Sequence, residues 1–292
     1  MPYATTRDDA KLFYKDWGTG RPVILLHGWP LTADTWDDVA LGLTGAGYRC
    51  IAYDRRGFGR SEQPWGGYDY DSLADDLADV IKATGAEKPA IVGFSMGGGE
   101  VARYLTRHGA ETVSAAALIA SVVPFMVKRD DNPTGVDHSV FDEMKTAMHE
   151  DRAGFMQTFG KQFYGVGLVS HPVSQGVLDW TFQQAMMAGQ WPTLACAQAF
   201  ATTDFRQDTK NFDLPTLIIH GTGDKTVPID SSARQAAKFI PHAQVIEYDG
   251  APHGLLATHK TEVTRDLIHF LNAAHGHGGD NEGTYSAAVA AA

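Results

Sequence analysis

The sequence predicts an α/β fold, a mostly parallel sheet with helices on both faces. From about residue 40 to 123, and again from 211 onward, short apolar runs alternate with segments of helical period. Strands joined through helices run parallel, because the helix carries the chain back to the end where the previous strand began. The strand-like runs are also apolar throughout, as in Ala90-Ile91-Val92 and Leu217-Ile218-Ile219. That is the pattern of strands covered on both faces. With 292 residues, 43% of them hydrophobic, the chain can bury one large core, or one core plus a modest subdomain.

The elements follow in order. Leu12–Trp17 and Val23–Leu26 read as strands with Gly18-Thr19-Gly20 as the turn between them, and Arg49–Tyr53 as a short buried strand. Tyr70–Ala83 spaces Leu73, Leu77, Val80 and Ile81 along one helical face, with its aspartates mostly on the other. Ala90–Gly93 is a buried strand and Gly97–Arg107 a helix. Val113–Val123 reads as one nearly continuous strand, ended by Pro124. Leu214–His220 and Ala243–Tyr248 are two further strands, and Glu262–Leu271 is a closing helix.

Residues 124–210 break this rhythm. They lack strand alternation but carry Phe141, Met144, Met148, Phe155, Phe159, Phe163, Trp180, Phe182, Met186, Met187, Trp191 and Phe200. This is expected to be a helical cap over the sheet, with most of these side chains packing rather than binding. The core is then 1–123 plus 211–274. The stretch 275–292, rich in Gly, Ala and His, is expected to be a flexible tail, and weak metal binding by His275 and His277 is the lesser reading.

Composition narrows the partners. Lys plus Arg is 24 against 35 Asp plus Glu, a formal charge of −11. Such a chain repels nucleic-acid phosphates and anionic membrane surfaces. Two isolated cysteines, Cys50 and Cys196, make neither a disulfide framework nor a zinc site. The N-terminal residues show no signal-peptide pattern and no run approaches a membrane span, so a cytoplasmic protein is expected. A homo-oligomer is compatible with the composition.

The chemistry is carried by Gly93-Phe94-Ser95-Met96-Gly97, set between a strand and a helix. A serine nucleophile in this Gly-x-Ser-x-Gly pattern sits on a sharp turn with strained backbone angles, where side chains at 93 and 97 would collide with neighbouring backbone. The turn also aims a helix N-terminus, with free N–H groups, at the site. Acyl transfer needs two N–H donors at about 3 Å from the developing oxyanion. Met96 supplies one. Trp29, in the loop His27-Gly28-Trp29-Pro30 after another strand, supplies the other. His27 is read as structural, bonding loop backbone.

A serine hydroxyl needs a base oriented by a carboxylate. In this architecture the order is serine, acid, histidine. Asp224 follows the strand ending at His220, and His253 follows the strand ending at Tyr248. Of the 12 histidines, His242 lies at the wrong end of its strand and His259 falls next to the closing helix. Asp230 reads as a helix N-cap and Asp249 lies in the histidine's own loop, so Asp224 is the expected acid.

These residues resemble the cofactor-free haloperoxidase, perhydrolase and aryl esterase group of bacterial α/β-hydrolases. The matching stretches are His27–Leu31, Asp54–Ser61, Gly93–Tyr104 and Ala251–Gly254, within a likeness from about residue 3 to 272. The resemblance implies the α/β-hydrolase fold: an eight-stranded, mostly parallel sheet flanked by helices, with a helical cap after the sixth strand. It implies cleavage of small, often aryl, esters through an acyl-enzyme on Ser95. It also implies perhydrolysis, in which hydrogen peroxide replaces water and the peracid formed oxidises halide, with no metal or other cofactor. Pro30 after Trp29 looks like the perhydrolase-favouring form of that loop. Phe58 departs from relatives, which often carry His there. By the same resemblance Trp29, Val122, Met126, Phe159, Phe163 and Val227 line the substrate pocket.

A lactonase or γ-lactamase would use the same machinery. Epoxide hydrolases and haloalkane dehalogenases need a carboxylate nucleophile, which Ser95 excludes. A non-catalytic binding protein on this fold would be expected to show a damaged triad, and this one is complete.

Overall fold

The computed structural model describes residues 2–276. Eight strands form one sheet: β1 (Tyr3–Thr5), β2 (Lys11–Trp17), β3 (Arg21–Leu26), β4 (Tyr48–Tyr53), β5 (Ala90–Phe94), β6 (Ala115–Ile119), β7 (Thr216–Gly221) and β8 (Gln244–Tyr248). Their order is β1-β2-β4-β3-β5-β6-β7-β8. β1 and β2 pair antiparallel, as do β2 and β4, and every other pairing is parallel. The helices of the core are α1 (Asp37–Gly45), α2 (Tyr70–Thr84), α3 (Met96–His108), α7 (Ala233–Phe239), α8 (Leu255–Thr258) and α9 (Lys260–Ala274). Between β6 and β7 come α4 (His138–Phe163), α5 (Gln175–Met187) and α6 (Gln190–Thr202).

Local chemistry explains the clearest elements. Asp69 caps α2 by accepting the Ser72 N–H at 2.9 Å, and Gly85 ends it in the left-handed region at φ 62°. On the apolar face of α2, Leu73, Leu77 and Val80 are fully buried and Ile81 half-buried. α4 is two helices meeting at Asp151 (φ −151°, ψ 85°), whose carboxylate accepts the Gly154 N–H at 2.9 Å and starts the second half.

β6 is shorter than the apolar run Val113–Val123 predicts. The strand ends at Ile119 and Ala120 turns the chain at φ 45°. Ser121–Val123 remain buried, but beneath the inserted helices rather than in the sheet. Burial on all sides produces an apolar run as well as a strand does. The short β1, α1 and α7 lie outside the sequence reading. In α1, Gly42 and Gly45 lower helix propensity, and packing of Val39, Ala40 and Leu43 makes up for it.

In the inserted helices Met148, Met156 and Phe163 are buried, whereas Trp180, Met187 and Trp191 are more than a third exposed. Trp191 stacks on exposed Trp65 at 4.9 Å. No described helix is long and apolar enough to cross a membrane. Both cysteines are buried and unpaired, and burial pushes each thiol up to about 12. His275 tilts against Tyr48 with ring centroids 6.3 Å apart, and its Nε2 lies 3.1 Å from the Ser114 hydroxyl. From His277 onward the expected tail lies outside the described residues.

Candidate active site

The parallel strands end together, and the sequence-predicted residues collect just past their C-terminal ends. Leu26 of β3 pairs with Gly93 of β5, Phe94 with Ile119 of β6, and Gly221 of β7 with Tyr248 of β8. Trp29, Ser95, Val122, Asp224 and His253 follow these strands.

Ser95 stands at φ 55°, ψ −117°, a strained geometry for a residue with a side chain. Its N–H donates to Ile119 O at 2.8 Å, and its carbonyl accepts from Gly98 N–H (3.0 Å) and Val122 N–H (3.3 Å). The elbow glycines are sterically required. A Cβ on Gly97 would stand 2.6 Å from Leu26 O, and one on Gly93 would meet the Gly97 carbonyl and lie 2.6 Å from Gly98 N.

His253 lies between Ser95 and Asp224. The Ser95 hydroxyl donates to its Nε2 at 2.9 Å, and its Nδ1–H donates to Asp224 Oδ2 at 2.6 Å. The ring is buried, with Phe94 at 5.3 Å on one side and the edge of Phe163 at 4.8 Å. Asp224 Oδ1 accepts the N–H groups of Thr226 and Val227, each at 2.8 Å. Burial alone would raise its pKa, but His253 and His220 outweigh it and hold the carboxyl well below the usual range. Asp230 is exposed and paired with Arg234, and exposed Asp249 faces Thr222. His242 bonds Leu214 O and His259 bonds Thr258. None of these alternatives reaches Ser95 or His253.

The backbone N–H groups of Trp29 and Met96 find no acceptor among the described residues. The Trp29 loop runs against the elbow: a Cβ on Gly28 would lie 3.0 Å from Ser95 Cβ. The Trp29 indole anchors the loop to α6 by donating to Thr193 O at 2.9 Å. His27 bonds loop backbone. Its Nδ1–H donates to Gly28 O at 2.8 Å and its Nε2 accepts the Arg55 N–H at 2.9 Å. Burial, reinforced by the Arg55 charge, drives its pKa far down and keeps the ring neutral. Arg55 ties this loop to the nucleophile helix. Its guanidinium donates to His27 O at 2.6 Å and to Glu100 of α3, with both ionic side chains about 1% exposed.

Ser95 opens on a cavity of 460 Å³, a size typical of small-molecule sites. Trp29, Val122, Met126, Phe159 and Val227 line it, together with Met144, Phe155 and Phe200. Glu143, Gln162, Lys225 and Thr226 are its other polar borders. Phe163 is not in the lining; it packs on Phe94 and His253 instead.

Sequence reasoning passed over His220, read only as the end of an apolar strand. It is fully buried, with Nε2 2.8 Å from Val227 O and 3.2 Å from Asp224 Oδ2. Nothing in the Leu217-Ile218-Ile219-His220 run signals this, because both partners lie across a turn.

A family model described as alpha/beta hydrolase fold matches residues 21–171 and 181–260. A non-heme chloroperoxidase of Kitasatospora aureofaciens is 43% identical over 274 residues, covering 93% of this chain and 100% of that protein. A bifunctional esterase/perhydrolase of Acinetobacter calcoaceticus is 40% identical over 277 residues, covering 94% and 100%. The crystal structure of a bromoperoxidase from Bacillus anthracis superposes with a TM-score of 0.90 at 40% identity, covering 93% of this chain and 99% of that one.

Proposed function

This chain belongs to the non-heme haloperoxidase and perhydrolase group of the α/β-hydrolase family, and from that premise we propose that Ser95, His253 and Asp224 cleave small carboxylic esters through an acyl-enzyme. The observation that carries the reading is the unbroken chain of hydrogen bonds from Ser95 through His253 to Asp224, beside two unengaged N–H groups and an apolar cavity.

His253 Nε2 takes the Ser95 proton as Oγ attacks the ester carbonyl. The carbonyl oxygen becomes an oxyanion and accepts from the Trp29 and Met96 N–H groups. His253 then gives its proton to the departing alcohol, leaving the acyl group on Ser95. Asp224 keeps the Nδ1–H tautomer and stabilises the transient imidazolium. In the second half, His253 deprotonates the incoming nucleophile as it attacks the acyl carbon, and then returns the proton to Ser95 Oγ as the acyl bond to Ser95 breaks. Water releases the acid and hydrogen peroxide releases a peracid, whose oxidation of halide makes the haloperoxidase reaction. Residues 124–210 act as a cap, with Phe155, Phe159 and Phe200 walling the cavity against Trp29.

The test is a panel of aryl and alkyl esters, lactones and lactams, each run with and without peroxide. Saturable ester turnover is expected, with peroxide diverting acyl groups into peracid. A kcat/KM higher for lactones or lactams than for esters would assign the same residues to a different substrate, and turnover no faster than buffer would overturn the reading.

A further inference from the structure

We infer that His220 is a positioning residue for this reaction, holding the Asp224 carboxylate at the angle from which it orients His253. The inference rests on the triad reading above and adds a member that neither motif nor spacing marks.

Asp224 Oδ2 lies between two imidazoles, His253 Nδ1 at 2.6 Å and His220 Nε2 at 3.2 Å. An ionised carboxylate only accepts, so the atom of His220 that faces it carries the proton. The same Nε2–H points to Val227 O at 2.8 Å, a second acceptor. The Nε2–H tautomer is therefore the one that both neighbours select. It leaves Nδ1 as a bare acceptor, and Nδ1 is indeed a buried atom without a partner among the described residues. Leaving a buried acceptor unsatisfied is unfavourable. What the arrangement secures is the turn from Asp224 to Val227. The Val227 N–H closes on Asp224 Oδ1 while the Val227 carbonyl is held by His220. One ring thereby fixes both the carboxylate and Val227, a wall of the substrate cavity. His220 belongs to rigid β7 and is fully buried, so the turn is referred to the sheet rather than to solvent.

Other charges near these rings are accounted for. Glu247 pairs with His220 in the strand register, but its carboxylate is bound to Arg234. Lys225 is exposed at the cavity border.

Two amide substitutions separate the roles of the ring nitrogens. In His220→Gln the side-chain nitrogen can reach the place of Nε2, whereas in His220→Asn it reaches only the place of Nδ1. His220→Gln is expected to keep kcat within about threefold of wild type. His220→Asn is expected to lose on the order of 100-fold in kcat, the usual cost of an ångström-scale misplacement. Inactivation of Ser95 by a phosphonate ester should slow in the same order, while thermal unfolding shows both variants folded. Equal activity in the two variants, at either level, would overturn the role given to Nε2–H. Should His220→Asn fail to fold, nitrogen-edited NMR of the wild-type histidine rings decides. An Nε2–H, bare-Nδ1 signature for His220 at the assay pH supports the proposal, and a proton on Nδ1 overturns it. A wild-type protein that the phosphonate does not label refutes the Ser95 reading itself, a failure distinct from any pattern among the variants.

Discussion

Replacing Asp224 by Asn removes one charge and changes almost no volume, yet the structure predicts near-complete loss of ester turnover. The reason lies in which way the amide must face. Asp224 Oδ1 accepts two backbone N–H groups, from Thr226 and Val227, each at 2.8 Å. An amide nitrogen there would meet two donors, so the Asn oxygen takes the Oδ1 place. The NH2 group then occupies the Oδ2 place, 2.6 Å from His253 Nδ1. Nδ1 must become the acceptor, which moves the ring proton to Nε2, opposite the Ser95 hydroxyl at 2.9 Å. The base has lost its lone pair where it is needed. The NH2 group also confronts the Nε2–H of His220. Holding the wrong tautomer costs about 10⁴-fold in kcat, equivalent to roughly 5.5 kcal/mol of barrier. Steady-state hydrolysis of p-nitrophenyl acetate measures this, with unfolding curves confirming that the variant is folded. An Asp224→Asn enzyme within tenfold of wild type would refute the tautomer argument, and with it the role assigned to Asp224.

Two further outcomes follow from burial and charge. Glu100→Gln leaves the Arg55 guanidinium buried without a counter-charge, and Arg55 cannot shed its proton. A stability loss of about 3–5 kcal/mol is expected in denaturant unfolding, against about 0–1 kcal/mol for Asp38→Asn, which breaks the exposed Asp38–Lys260 pair; similar losses in the two would contradict the account. For pH, the sign comes from Asp224, whose folded pKa lies below its unfolded value of about 3.9. Its stabilising contribution is complete above that value and disappears as pH falls through the folded pKa. The stability gap between wild type and Asp224→Asn should therefore be flat above pH of about 4 and shrink below it, and a gap that widens on acidification would reverse the argument.

The parts of the site that were legible in the sequence are those set by local constraint. Gly93 and Gly97 flank a serine whose turn admits no Cβ on either side, and the backbone atoms that exclude them lie within the elbow or on the adjacent strand. Asp224 and His253 each follow a strand end in a short turn-rich stretch, so topology alone brings them to one rim. Trp29 was legible for the same reason. Residues whose role depends on distant partners were hidden. His220 acts across the turn to Val227, and Arg55 and Glu100, 45 residues apart, meet only once the loop after β4 lies against α3. Phe163 shows the limit for apolar residues: the family resemblance implied the pocket, but its ring packs on His253. The apolar run Val113–Val123 likewise conceals the turn at Ala120, because burial and strand formation leave the same sequence trace.

The central claim is that Ser95 is the nucleophile, and covalent labelling tests it most directly. A phosphonate ester probe should add one phosphonyl group to the wild-type chain, located by peptide mass spectrometry on the segment holding Ser95. The Ser95→Ala protein, shown to be folded, should take up none and should not hydrolyse p-nitrophenyl acetate above the buffer rate. Labelling or turnover that survives the substitution would contradict the account.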